Sequence, residues 1–405
     1  MHEPSVGFDR LADVRGSSVR LVLQLPLGLL LGACGFSAHA RGGDAGGGSS
    51  DGASMLDASV LADAPPGQAC FGSLAYTRVC YSTPNVPTGM QHYQVTDTID
   101  TGMAATCTGN VHALQQLPGN PCIIAYDTIT FTGGGNLTIT GTRPVIFLAT
   151  GASGISMASN SVIDASSRNG NTGAGAIASC TGTKDANGQS GGFGGSFTSS
   201  GGAGGLGVGD HNSDLGGAAT MLGAPVALHG GCPGGVGGNN TITTVAMGGG
   251  AVALVAATLS IDGLVAAAGD GGAAPPVNNA GGNGGGAGGM IVLDSPSITG
   301  SGELDAKGGG GGEGRGGNPP TSGTAGYYPV NRLEESLGGS TATSTGGDGG
   351  HGGPRVVNVV QTVNTGEDGF AGTSGAGGGG GGGAAGVVIA TSALPGLLTS
   401  NPAPQ

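Results

Sequence analysis

Three aspartates recur at like places in short apolar repeats: Asp164 in VIDAS, Asp262 in SIDG and Asp305 in ELDA. Carboxylates repeated along a stack of similar units can form a ladder that holds Ca²⁺ or works as an acid/base pair on a polysaccharide. An Asp at a corner can instead hydrogen-bond its own backbone, and that structural role is the one expected here. No adjacent Asp-Asp pair accompanies the three. GGDGGH, from Gly346 to His351, lacks the G-G-x-G-x-D order and tandem repetition of calcium-binding nonapeptides. His211 in GDHNSD and His229 in LHGGC have no Ser or Cys partner at a known motif spacing. A Walker loop is also missing, and G-x-G-x-x-G matches carry no weight in a chain with 94 glycines. The expectation is therefore no catalytic constellation, no metal centre and no cofactor.

One loop concentrates other chemistry. In NPPTSGTAGYYPVNRLEES, Tyr327 and Tyr328 stand beside Arg332, Glu334 and Glu335. Aromatic rings with nearby polar groups can stack on sugars or anchor a protein partner, so Tyr327, Tyr328 and Arg332 are candidate binding residues. The alternative is a loop whose tyrosines fold back onto the body. The formal net charge is −13 with only 12 Lys and Arg, so no basic stripe exists to gather phosphates and nucleic acid is not expected as a partner.

The elements that would carry these residues are thin strands. Aromatic residues make up 3% and charged residues 9%, while hydrophobic residues reach 37%, which argues against both an ordinary helical core and simple disorder. The glycines follow no G-X-Y period, which excludes collagen. Short β-branched runs repeat: VIFLA (145–149) then VIDA (162–165), VALVA (252–256) then LVAA (264–267), IVL (291–293) then SITG (297–300) and ELDA (303–306), and finally VVIA (387–390). Units that cannot bury their own apolar faces must stack. The expected fold is all-β, a parallel β-helix-like solenoid with long glycine-rich loops, and a β-sandwich is the runner-up. Ile291, Leu293, Ile298 and Leu304 are the candidate inward-facing residues of one rung. The glycine-rich stretches 188–217, 269–289, 308–350 and 372–383 have two readings, solvated loops or extended strands lying side by side with Cα–H···O support. Their exit and re-entry at similar points of the stack favours partial order.

The cysteines point to export. Setting Cys34 aside leaves Cys70, Cys80, Cys107, Cys122, Cys180 and Cys232, an even set that suggests disulfides. Nearby pairs close loops at least entropic cost, which favours Cys70–Cys80, Cys107–Cys122 and Cys180–Cys232. At the N-terminus Arg10, Arg15 and Arg20 precede LVLQLPLGLLLGA, too short to span a bilayer. This stretch resembles a bacterial lipoprotein signal, with Leu31-Gly32-Ala33-Cys34 as the lipobox and Cys34 as the lipidated residue; cleavage after Ala38 or Ala40 is the alternative. Together with VIFLAT…VIDAS and GGMIVLDSPSITGSGELDAKGGGGG, the chain resembles glycine-rich predicted lipoproteins of myxobacteria and relatives, a family that implies no assigned activity and no catalytic residues.

The resulting organisation is a signal peptide (1–33), a flexible tether (34–68), a cysteine-bearing leader (69–121), a glycine-rich β-helix (122–395) and a tail (396–405). The expected protein is a non-enzymatic, exported, lipid-anchored element of the outer membrane or cell surface with a structural or adhesive role. Its expected partners are the membrane, through the lipid, and carbohydrate or another surface protein. A carbohydrate-active enzyme and a calcium-stabilised binding module are the alternatives.

Overall fold

The computed structural model describes residues 64–404 apart from 95, 169, 182–184, 218–219, 317–335, 343–344, 358–360 and 397. Cys34, the signal and most of the tether, and Tyr327, Tyr328 and Arg332 lie outside the described residues.

The chain begins with an antiparallel hairpin, β1 (Gln68–Phe71) and β2 (Val79–Ser82). Then come β3 (Met90–Tyr93), β4 (Asp97–Asp100), β5 (Cys122–Tyr126), β6 (Thr128–Phe131), β7 (Asn136–Thr140), β8 (Val145–Ala149), β9 (Ile155–Met157) and β10 (Val162–Asp164). After a long glycine-rich passage come β11 (Ala251–Val255), β12 (Leu259–Ile261) and β13 (Leu264–Ala266), then β14 (Met290–Asp294), β15 (Ile298–Thr299) and β16 (Glu303–Asp305). The last elements are a second antiparallel pair, β17 (Arg355–Val357) and β18 (Gln361–Val363), followed by β19 (Val387–Ala390) and β20 (Thr399–Asn401).

All but those two hairpins fall into three parallel sheets. The first is ordered β15-β12-β9-β6-β3, the second β20-β16-β13-β10-β7-β4 and the third β19-β14-β11-β8-β5. Their inner faces share one core, in which Ile129, Ile155 and Leu259 of the first sheet meet Leu137, Ile163 and Val265 of the second and Phe147, Leu254 and Leu293 of the third. Ile291, Leu293, Ile298 and Leu304 all point into it. Few aromatics suffice because they cluster near one end, where Tyr93 stacks on Phe131 at 4.9 Å and Phe147 meets Phe131 edge-on at 5.7 Å.

The third sheet is buried on both faces, which is why VIFLA, AVALV and MIVLD read as unbroken apolar runs. Its outer face packs on Phe71, Tyr76, Val79 and Tyr81 around the first hairpin and on Phe197, Leu228, Ala287 and Ala384 of the glycine-rich passages. The edge of β5 is closed by Asn110, whose Oδ1 accepts from the Ile123 amide at 2.8 Å and whose Nδ2 donates to the Pro121 carbonyl at 3.1 Å. The cysteines pair as Cys70–Cys80, Cys107–Cys122 and Cys180–Cys232. The first links directly opposed residues of β1 and β2.

This architecture corrects the expected fold class. The parallel strands lie in separate flat sheets rather than in a closed solenoid, and at three of its passages from the second sheet to the third the chain leaves the stack instead of winding on. After β10, β13 and β16 it departs through residues 165–250, 267–289 and 306–386 before entering the third sheet at β11, β14 and β19. Nor are those departures loops: most of their glycines are buried.

The departures form a second packed layer with its own grammar. Along residues 378–386 the amide partners repeat every third residue. Gly378, Gly381 and Ala384 donate to Gln189, Gly192 and Gly195; Gly379, Gly382 and Ala385 donate to Phe370, Glu367 and Asn364; Gly380, Gly383 and Gly386 donate to Gly312, Gly309 and Ala306. Carbonyls of the same segment accept from Gly202 and Gly205, from Gly282, Gly285 and Gly288, and from Gly350 and Gly353. A period of three is that of an extended three-residue helix, which has no internal hydrogen bonds and so offers each turn to three directions. The segment thus sits at the centre of six neighbours, in a polyglycine lattice rather than a sheet. At positions 379 and 382 only glycine permits this spacing: a Cβ on Gly379 would overlap the Asp348 carbonyl oxygen, and one on Gly382 the carbonyl of His351.

Candidate functional site

The second sheet holds two of the three candidate aspartates. Register places Asp164 of β10 opposite Ala266 of β13, and Ala266 opposite Asp305 of β16. The two carboxylates therefore stand two strands apart, about 10 Å at the usual spacing of parallel strands. Asp262 lies elsewhere, in the turn between β12 and β13, where its Oδ1 accepts from the amide and hydroxyl of Ser301 at 2.9 and 3.0 Å. No carboxylate ladder forms from these residues. Asp164 accepts from the Ser166 amide at 2.9 Å and Asp305 from the Lys307 amide at 3.2 Å, the same self-bonded corner in both. Among the described residues no three His, Cys, Asp or Glu side chains gather at metal-binding distance.

Asp305 differs from Asp164 in what surrounds it. Its side chain and that of Lys307 are each 1% exposed, with Nζ 3.4 Å from Oδ2. Neither of those atoms has a hydrogen-bond partner. Burial, with a smaller push from Glu303 and an opposing pull from Lys307, raises the Asp305 carboxyl from its usual range to about 7.

Asp294, at the end of β14, was not legible as a special residue in sequence. Its buried carboxylate accepts from the Ser73 amide and hydroxyl, both at 2.7 Å, from the Leu74 amide at 3.3 Å and from the Thr77 hydroxyl at 2.5 Å. Those partners belong to the turn of the first hairpin, more than 200 positions away. The carboxylate ties the hairpin to the third sheet, and its charge, after burial, helps to raise the phenol of Tyr76. The only sequence signal is an acid closing an apolar run, MIVLD.

His211 and Asp214 cap a short turn, the His211 amide donating to Asp214 Oδ2 at 2.9 Å. The His229 ring packs against Phe197 at 5.1 Å. His351 of the GGDGGH stretch faces Glu367, with 3.8 Å between Nδ1 and Oε2. Each is accounted for by local structure.

A different surface emerges on the first sheet. Strand alternation turns Ile129, Phe131, Ile155, Met157, Leu259, Ile261 and Ile298 into the core, so the residues between them face outward. Register aligns Thr130, Ser156, Ser260 and Thr299 in one row across β6, β9, β12 and β15. Thr258 and Ser297 flank the row on one side and Thr132 and Ser301 on the other, all at least partly exposed. Ser156 Oγ donates to Thr130 Oγ1 at 3.4 Å within the row. The hydroxyls step at about 4.8 Å, the separation of paired strands, and Asp262 is the one charged side chain at the flank.

No family model, curated protein or solved structure matches the chain. The functional reading therefore rests on the residues themselves.

Proposed function

We propose that this protein is a non-enzymatic, exported, lipid-anchored surface element whose first sheet adheres to carbohydrate. The observation that carries the adhesive reading is the outward row Thr130, Ser156, Ser260 and Thr299 with its flanking hydroxyls. Evenly stepped hydroxyls, each both donor and acceptor, suit a ligand that repeats polar groups along its length. A polysaccharide strand has that character, whereas a phosphate polymer would need Lys or Arg, and among the described residues none stands on this sheet, where His92 continues the row beside Thr130. The glycine lattice supports the reading as a rigid, side-chain-poor body behind the sheets, and the lipobox at Cys34 together with the disulfides supports export. The resemblance to glycine-rich predicted lipoproteins of myxobacteria and relatives agrees with a display role. A carbohydrate-active enzyme draws no support from Asp164, Asp262 and Asp305, which the fold keeps apart.

Co-sedimentation of the chain lacking its signal with cellulose, chitin and peptidoglycan sacculi tests the reading. Binding to at least one of them, weakened tenfold or more by Ser260→Lys with Thr299→Lys, is expected. Absence of binding to all three, or undiminished binding by the double variant, overturns it. Labelling of cells with a palmitate analogue tests the anchor, and incorporation that persists in Cys34→Ala removes it.

A further inference from the structure

The buried pair Asp305–Lys307 has no role in the fold that its neighbours in the sheet do not fill without it. The corner bond from the residue 307 amide to the Asp305 carboxylate needs no lysine side chain, since Asp164 makes the same bond to Ser166. In the neighbouring strand the corresponding pair is Ala266 and Ala268, by register. A lysine is thus placed at 1% exposure, on a corner that its counterparts build with Ser or Ala, and its amine is aimed at a carboxyl that is equally buried.

The lysine arm reaches back over the corner to the preceding aspartate, with Nζ 3.4 Å from Oδ2. As an ion pair the two groups would carry a desolvation penalty of several kcal/mol per charge, and Nζ and Oδ2 lack any hydrogen bond to offset it. Condensation uses a neutral amine and a neutral carboxylic acid, the pair that transfer of one proton from Nζ to Oδ2 gives without leaving a charge. That 3.4 Å is measured to Oδ2, the oxygen bonded to the Cγ that Nζ would attack, and groups held in a fixed geometry react with effective molarities many orders above those of free solutes. Burial, which raises the carboxyl to about 7, favours the protonated acid that this condensation uses.

We propose that Lys307 and Asp305 form an intramolecular amide bond, an internal cross-link at the junction of the second sheet and the glycine lattice. The Nζ lone pair attacks Asp305 Cγ, the bond from Cγ to its hydroxyl oxygen breaks, and that hydroxyl leaves with a proton from nitrogen as water. The amine and acid become an amide plus water, with no oxidant, reductant or co-reactant. The product removes both buried charges and leaves an uncharged amide in their place.

Mass spectrometry of the purified full-length chain, reduced at its disulfides, tests this directly. Cleavage after Glu303 and Glu313 releases LDAKGGGGGE. The amide gives this fragment a mass lower by about 18 Da, one water, and makes it resistant to trypsin after Lys307, because an acylated lysine no longer carries the charge trypsin reads. Fragmentation places the loss between Asp305 and Lys307, and Lys307→Arg restores the full mass. A fragment of full mass that trypsin cuts overturns the proposal whether or not any variant folds. A loss of the same size that survives Lys307→Arg, as a succinimide at Asp305-Ala306 would, overturns it. A link from Lys307 to Asn401, the register neighbour of Asp305, with loss of ammonia instead of water, also overturns it.

Discussion

The three sheets and the glycine lattice both bury backbone, and they do so in opposite ways. In the sheets, each interior strand bonds to two neighbours and the faces are filled by Ile, Val, Leu and a few aromatics. In the lattice, the segment at 378–386 bonds to six neighbours and has almost no side chains to fill space. The sheets gain from apolar surface removed from water. The lattice gains little of that. It must offset the larger ordering entropy of glycine through saturated hydrogen bonding and close backbone contact. One region tolerates a missing hydrogen bond better than a missing methyl group, and the other the reverse. Asn283 shows the rule inside the lattice: fully buried, it accepts from Gly237 and Asn240 and donates to the carbonyls of Ile242 and Thr244.

Substitutions of opposite sign break or sharpen this contrast. Leu254→Ala, at the centre of the shared core, is expected to destabilise by about 2–5 kcal/mol in denaturant titration. A loss near zero would mean that the sheets do not depend on that core. Gly380→Ala adds the single methyl that the lattice excludes, since its Cβ would overlap the Asn283 carbonyl, and should cost about 1–3 kcal/mol as overpacking. Thr77→Val removes one donor to Asp294 and should cost about 1.5–3 kcal/mol, the range for a hydrogen bond to a charged group. In the same variant, protection from hydrogen exchange should fall in β1 and β2 before it falls in β11.

Exchange also tests the lattice as a whole. Amides at 378–383 are expected to be protected to a degree comparable with β14, and uniformly fast exchange across them would dissolve the comparison. The smallest effect concerns pH. In Lys307→Met, Asp305 remains a buried acid without its amine, held protonated to about pH 7 or beyond. The native state then binds more protons than the unfolded chain between about pH 4 and 7, so stability present at pH 4 falls as pH rises through that window. The melting temperature of Lys307→Met should drop from pH 4 to 7 relative to that of Lys307→Met with Asp305→Asn. Parallel profiles would show that Asp305 is not buried as an acid.

Much of the sheet region was readable because its signals are local. VIFLA, AVALV and MIVLD announce strands covered on both faces, and the alternation of Ser297, Ile298 and Thr299 announces a strand covered on one. The closed solenoid was not a sound extension of those repeats. A repeat states that its copies stack, but not whether the path between copies is a turn or a second packed layer. The glycine stretches carry a period of three in short runs such as GGFGGS, GGAGGL and GGDGGHGGP, but nothing local says that this period marks hydrogen-bond direction toward distant segments. The Thr130–Ser156–Ser260–Thr299 row was missed for a related reason. Its members are up to 169 positions apart, and only register brings them into line.

The sequence by itself determined which residues are strands, which side chains of a strand point inward, and which cysteines could meet at least entropic cost. Those properties depend on near neighbours, on period-two alternation and on loop length, all of which are written along the chain. The tertiary structure alone decided that glycine passages become a six-neighbour lattice, that Asp294 holds a hairpin over 200 positions away, and that Asp305 and Lys307 share one dry site. Each of these depends on register between distant segments, and on how much water the assembled layers leave behind.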